Sequence, residues 1–254
     1  MARSLGVFTR RKDALFGAAL AAPVRGTAAS REAIATCLQY GEWKPSPDAL
    51  LFAGNGRQAL TAAFSALAPI GGRIGFEALT YPVAKAAAAQ LGLKPVALAM
   101  DAHGVRPKAI EAAHRDGALH ALYLQPTAQN PLGITMPRER RVEIVDTVRR
   151  LSSKAKRPIY IVEDAVYGFL EPRAPRPLTA LAPDLVVLVD SLSKRVCPGL
   201  TLGFICAAPA LHAKLSNALR SGGWSAMGYA MAVGVAWCGD GMIRELEQIG
   251  RAHV

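Results

Sequence analysis

The chain has 254 residues, 51% hydrophobic and 19% charged, which is ample for one large buried core and part of a second and excludes a disordered protein. Lysine and arginine outnumber acidic residues by 30 to 19; the resulting net charge of +11 favours anionic partners such as phosphates, carboxylates or nucleic acid without choosing among them. The four cysteines, Cys37, Cys197, Cys206 and Cys238, form no CxxC or CxxH pair, which argues against a zinc site or a disulfide framework and for a reducing, cytoplasmic compartment.

Near the start, Thr9-Arg10-Arg11-Lys12 before the apolar stretch Ala14 to Leu20 has the outline of a twin-arginine leader. Asp13 intrudes where such leaders turn apolar and the stretch is short, so export is not expected. Beyond it, short apolar runs alternate with longer helical patterns, uninterrupted by repeats or low-complexity linkers, which predicts an α/β sheet. Seven strands are expected, at Leu50 to Ala53, Arg73 to Ala78, Val96 to Met100, Ala121 to Gln125, Pro158 to Glu163, Leu185 to Asp190 and Leu202 to Ala207. Arg57 to Leu67, Val83 to Leu91, Lys108 to His114 and Arg138 to Ser153 are long enough for crossover helices. Ser221 to Gly239 is uncharged but rich in glycine, alanine and serine, and predicts a packed helix rather than a membrane span, which wants about 20 predominantly apolar residues. A last helical pattern begins at Met242 to Gln248. The final six residues, IGRAHV, back-translate without strain to ATCGGAAGAGCACACGTC, the start of a widely used sequencing adapter, so 249–254 are expected to be read-through and the natural chain to continue differently.

In α/β sheets ligands gather at the carboxyl ends of the strands, and five local patterns fall there in order. They are Gly54-Asn55-Gly56-Arg57-Gln58-Ala59-Leu60, Leu79-Thr80-Tyr81-Pro82, Gln129-Asn130-Pro131-Leu132-Gly133, Glu163-Asp164-Ala165-Val166-Tyr167 and Ser191-Leu192-Ser193-Lys194. Taken singly, each has an ordinary reading. Lys194 reads as a surface lysine, Asp164 as a helix N-cap, Asn130 as an Asn-Pro turn, and Tyr167 and Tyr81 as core tyrosines. Asn55-Gly56-Arg57 reads as a glycine-containing turn, although a turn from strand to helix also aims backbone N–H groups at an anion.

In this order and spacing, from about Arg25 to Gln248, the chain resembles class I/II aminotransferases of fold type I. The wording of Tyr40-Gly41-Glu42-Trp43 and of Lys194-Arg195-Val196-Cys197-Pro198-Gly199-Leu200 is closer still to the aminotransferase-like domain of GntR/MocR-type transcription regulators. The resemblance implies a three-layer α/β/α architecture with a mostly parallel seven-stranded sheet, the aspartate aminotransferase fold, its small domain incomplete. Residues 1–40 would belong to the small domain or an arm, 41–241 would form the large cofactor domain, and 242–248 would begin an interdomain helix.

The implied cofactor is pyridoxal 5'-phosphate, which needs an amine for its aldehyde, an acid opposite its ring nitrogen, donors for its phosphate and an aromatic neighbour. By resemblance Lys194 would form the Schiff base, Asp164 would pair with the ring nitrogen, and Tyr167 and Asn130 would bond the phenolic oxygen. Asn55, Gly56, Arg57, Ser191 and Ser193 would hold the phosphate and Tyr81 would stack on the ring. One departure stands out: Pro198-Gly199-Leu200-Thr201-Leu202-Gly203 has Thr201 where many relatives carry a phosphate-gripping arginine. Thr201 can donate one hydrogen bond and Arg57 or Arg195 is the candidate to offset the loss, but a bidentate arginine contact is the stronger and a modest cofactor affinity is expected. Ala21 stands where relatives often place a tyrosine that reaches the neighbouring subunit's phosphate, and the arginine that binds substrate carboxylates would lie beyond residue 254.

Two functions follow from the resemblance: the effector-sensing domain of a regulator, or an aminotransferase moving an amino group between an amino acid and a 2-oxo acid. Either implies an amino acid or amine as small-molecule partner, a homodimer when full length, DNA contact only through a module outside these residues, and no membrane. A bare structural α/β domain would leave the ordered motifs unexplained.

Overall fold

The computed structural model describes residues 6, 10, 12–20, 22–39, 43–199, 201–223 and 226–252. Its centre is a seven-stranded sheet in the order β1-β9-β8-β7-β6-β2-β3. These strands are β1 (Leu50–Ala53), β2 (Arg73–Glu77), β3 (Lys94–Leu98), β6 (Leu119–Leu124), β7 (Tyr160–Asp164), β8 (Val186–Ser191) and β9 (Gly203–Cys206). All neighbours pair in parallel except β9, which runs antiparallel to both β1 and β8. Parallel strands covered on both faces read as near-continuous apolar runs, and β8 is buried throughout.

The period of two divides those runs between two helical layers. From β8, Val187 and Val189 join one core with Phe64, Phe76 and Tyr123, whose rings meet edge-on at 5.8 and 5.9 Å around Phe64. Helices α3 (Gly56–Leu67), α4 (Pro82–Gln90) and α9 (His212–Ser221) cover that face. Val186 and Leu188 point the other way. Val186 packs with Ile110, Ile144 and Val148 of α5 (Pro107–Asp116) and α6 (Arg138–Ala155), and Leu178 of the short α7 (Leu178–Leu181) joins them. Leu188 packs with Ile34, Phe204, Trp237 and Ile243 beneath α2 (Ala28–Cys37), α10 (Gly228–Gly239) and α11 (Met242–Ala252). Helix α1 (Lys12–Ala19) lies so close to the start of α10 that a Cβ on Gly228 would stand 2.4 Å from the Ala18 carbonyl oxygen.

The expected strand count holds for the main sheet, and most boundaries move by one or two residues. The third strand shifts by two residues at both ends. It was expected at Val96 to Met100 but starts at Lys94 and includes Pro95, because β3 is an edge strand and needs no N–H on its open side. Met100–Asp101 (β4) and Gly104–Val105 (β5) instead form a separate antiparallel pair. Among the described residues of the uncharged stretch 221–239, Ser221 closes α9, Gly222 and Gly223 follow it, with Gly223 at a φ of +130°, and α10 begins at Gly228. Helix α11 continues to Ala252, past the expected start of read-through.

Among the described residues no helix is long and apolar enough to cross a membrane, no group of side chains is arranged to hold a metal ion, and the four cysteines are unbridged. Thr9, Arg11, Ala21, Tyr40, Gly41, Glu42, Leu200, His253 and Val254, each part of a sequence expectation above, lie outside the described residues.

Candidate functional site

At the carboxyl ends of β7 and β8 and the start of α3 the chain encloses a cleft of about 370 Å³. Every site residue expected from the sequence lines it. Asn55, Gly56 and Arg57 come from the β1–α3 turn, Tyr81 from the start of α4, and Asn130 from the loop after β6. Asp164 and Tyr167 come from the end of β7, and Ser191, Ser193 and Lys194 from the junction of β8 with α8 (Leu192–Arg195).

The β1–α3 turn is a built anion cradle. Asn55 caps α3, accepting at Oδ1 from the Gln58 N–H at 2.8 Å, while Gln58 Oε1 accepts from the Gly54 N–H at 2.6 Å. The first N–H groups of a helix lack intrahelical partners and suit a negative ligand. Ser191 packs directly on the turn: a Cβ on Gly56 would lie 3.1 Å from its hydroxyl oxygen. On the other side a Cβ on Gly203 of β9 would fall 2.3 Å from the Asn55 carbonyl oxygen, so only glycine lets β9 pass there. Arg57 and Thr201 complete this end of the cleft.

At the other end stands Asp164, 8% exposed. Its Oδ2 accepts from the Tyr123 hydroxyl at 2.6 Å and from Gln125 Nε2 at 3.4 Å, and its Oδ1 accepts from the Val166 N–H at 3.1 Å. Burial pushes its pKa up to about 6, with the charge of Asp190 adding to the effect and the Tyr123 and Val166 bonds opposing it. Among the described residues no basic side chain pairs with Asp164, so it fits a ligand that brings a cationic N–H. Lys194 is exposed at the cleft, its Nζ 6.0 Å from the centroid of the Tyr167 ring. Amine, acid, anion cradle and aromatic wall thus share one enclosure, which is the donor set that pyridoxal phosphate requires.

One expectation fails. Arg195 does not face the cleft and cannot offset the missing arginine at position 201. It is buried on the opposite side of α8, where its guanidinium donates to Asp190 Oδ2 at 2.7 Å and to Glu247 Oε1 at 2.5 Å and lies 5.4 Å from the Phe169 ring centroid. A buried guanidinium needs such carboxylates, and Asp190 faces it from the preceding strand. Tyr123 and Gln125, which hold Asp164, went unforeseen in the sequence. Their signal was weak but present, as both lie at the carboxyl end of a strand beside the one that bears Asp164.

Residues 14–249 match the family model described as Aminotransferase class I and II. The chain belongs to the class I and II aminotransferase family. Relatives of two kinds are similar to it. It is 30% identical over 189 residues to the uncharacterized HTH-type transcriptional regulator YdeF of Bacillus subtilis, covering 74% of this chain and 40% of that protein. It is 33% identical over 157 residues to an aromatic amino acid aminotransferase of Schizosaccharomyces pombe, covering 51% of this chain and 31% of that protein. Among solved structures, an archaeal alanine:glyoxylate aminotransferase superposes with a TM-score of 0.85 at 24% identity, over 96% of this chain and 60% of that one. The α-aminoadipate aminotransferase LysN of Thermus thermophilus, complexed with N-(5'-phosphopyridoxyl)-L-leucine, superposes with a TM-score of 0.83 at 22% identity, over 99% of this chain and 62% of that one. These likenesses give the aspartate aminotransferase fold. Family and fold together indicate pyridoxal phosphate as the class I and II cofactor here. The chain spans less than half the length of the curated relatives it matches.

Proposed function

We propose that this aminotransferase-family chain is the effector-sensing domain of a GntR/MocR-type regulator, with pyridoxal phosphate carried on Lys194. The observation that carries the reading is the convergence of Lys194, Asp164, Tyr167 and the Asn55-Gly56-Arg57 turn on one cleft. When bound, the cofactor supplies an aldehyde that links to amines and a ring that withdraws electrons. Lys194 provides the amine; Asp164 holds a negative charge against the ring nitrogen; Asn130 and Tyr167 donate toward the phenolic oxygen. The helix α3 N-terminus, Ser191, Ser193 and Arg57 bind the phosphate, and Tyr81 covers a ring face. An amino acid or amine that competes with Lys194 for the aldehyde is then the signal. A cytoplasmic homodimer belongs to the same reading. The regulator relatives support a sensor.

Enzymatic transamination is the second reading, favoured by the 33% identity to the fission-yeast aromatic amino acid aminotransferase. One experiment tests the cofactor assignment: the chain is incubated with pyridoxal phosphate, reduced with borohydride and mapped by peptide mass spectrometry. The pyridoxyl group is expected on Lys194, and label found only on other lysines would sink the assignment. Adding amino acids to the unreduced protein separates the readings. A sensor changes its absorbance without releasing a 2-oxo acid over many turnovers, whereas steady release of 2-oxo acid restores the enzyme. Positioning of the substrate carboxylate supplies much of a transaminase rate, and with Lys194 exposed we expect weak cofactor binding and negligible turnover by this 254-residue chain.

A further inference from the structure

Behind the cleft lies a buried acid that none of the motifs contains. Glu77 is the last residue of β2 and is 1% exposed. Its Oε2 accepts from the Gln125 backbone N–H and from Gln129 Nε2, each at 3.2 Å. The two partners lead to different parts of the site. Gln125 places its own Nε2 3.4 Å from Asp164 Oδ2. Gln129 Nε2 also donates to the Leu79 carbonyl at 2.7 Å, and its Oε1 accepts from the Leu132 N–H at 3.0 Å. The Gln129 side chain therefore ties the loop that leads to Tyr81 to the turn that carries Asn130. Glu77 is where these ties meet.

We propose that Glu77 is a positioning residue for the cofactor, holding through Gln125 the acid that faces the ring nitrogen and through Gln129 the loops that bear Asn130 and Tyr81. The inference rests on the functional reading above. Glu77 acts as a neutral acid. Both of its donors reach Oε2, while Oε1 is buried without a partner among the described residues and is the natural seat of a proton. An ionised carboxylate so placed would be strongly disfavoured. Burial pushes its pKa up to about 8, the Gln129 and Gln125 bonds opposing this and the charge of Asp164 reinforcing it. The titratable groups that face it are Asp164 and, from β6, Tyr123. Neutral at Glu77, the pair leaves the negative charge on Asp164, where a cationic ring nitrogen would meet it.

The test compares wild type, Glu77→Gln and Glu77→Ala by pyridoxal phosphate titration, by the pH dependence of the bound cofactor's absorbance, and by thermal melting without cofactor. Glutamine keeps an acceptor at Oε2 and is neutral, so its affinity should stay within about twofold of wild type. Alanine removes the hydrogen bonds that hold both loops and should weaken binding about tenfold, the equivalent of roughly one charge-free hydrogen bond, and move the absorbance transition. An alanine variant that melts lower yet binds with wild-type affinity and spectrum overturns the proposal, since Glu77 is then purely structural. A glutamine variant as impaired as alanine also overturns it, because charge would then be required. Gln129→Met, which cuts one tie without touching Glu77, covers the case in which Glu77→Ala does not fold, and unchanged binding by that variant counts against the proposal. Wild type that takes no cofactor on Lys194 would instead overturn the functional reading, and this inference with it.

Discussion

Asp164 is held under opposing demands. Burial disfavours its charge, while the Tyr123 hydroxyl and the Val166 N–H support it, and burial wins, lifting its pKa from 3.8 to about 6. An acid whose folded pKa lies above its unfolded value contributes its full stability below the unfolded pKa and loses it as pH rises through the folded one. Without cofactor, the stability of wild type relative to Asp164→Asn should therefore fall between about pH 4 and pH 6, by at most ~1.4 kcal/mol per pH unit. With pyridoxal phosphate the order should reverse at pH 7, since a cationic ring nitrogen rewards the carboxylate and not the amide. Thermal melting with and without cofactor at several pH values reads both effects. A variant that melts below wild type at pH 7 without cofactor, or equals it with cofactor, would show that Asp164 is not an uncompensated acid awaiting a cation. Asp164 itself was legible from its motif at a strand end, whereas Glu77 was not. Its importance comes from β2 lying next to β6, a long-range register that the local wording Phe76-Glu77-Ala78 does not contain.

At the level of elements, the short helix that bears Lys194 is fixed from behind. Arg195 joins α8 to β8 through Asp190 and to α11 through Glu247, with Phe169 against its guanidinium. Removing one partner of a buried ionic group leaves the others uncompensated, so Arg195→Ala should cost about 3–5 kcal/mol in denaturant unfolding. It should also loosen Lys194, seen as slower borohydride-trapped labelling. Loss of under about 1 kcal/mol, the worth of an exposed pair, would mean that the ionic cluster does not hold the helix. The element pattern was readable where strands are apolar and bounded by turns, as at Leu50–Ala53, which the sequence reading bounds as the structure does. It misled at Pro95, where edge position overrides propensity, and at Arg195, where a cation next to the cofactor lysine was read as facing the phosphate. Adjacent residues on a helical turn point to different sides, and only the packing of α11 decides which side is interior.

For the molecule as a whole, a parallel sheet with helices on both faces brings most strand exits, and with them the acid, the amine and the polar loops, to one end. Strand β9 breaks that rule. Running against its neighbours, it meets the cleft with its first residues, so Thr201 and Gly203 arrive on the way into a strand while Asp164 and Lys194 arrive on the way out of theirs. The consequence is a separable position: Thr201, at the phosphate end of the cleft, is written on a segment that approaches from the opposite direction to those bearing Asp164 and Lys194, and it can be revised without disturbing the ring. Thr201→Arg should then lengthen cofactor residence about tenfold, the scale of a charge-assisted contact, while leaving the absorbance of the bound cofactor and its pH dependence where they were. Dissociation into apo-protein traps and absorbance titration measure the two independently, and a substitution at 201 that shifted the spectrum as much as the residence time would show that anchor and ring are a single device.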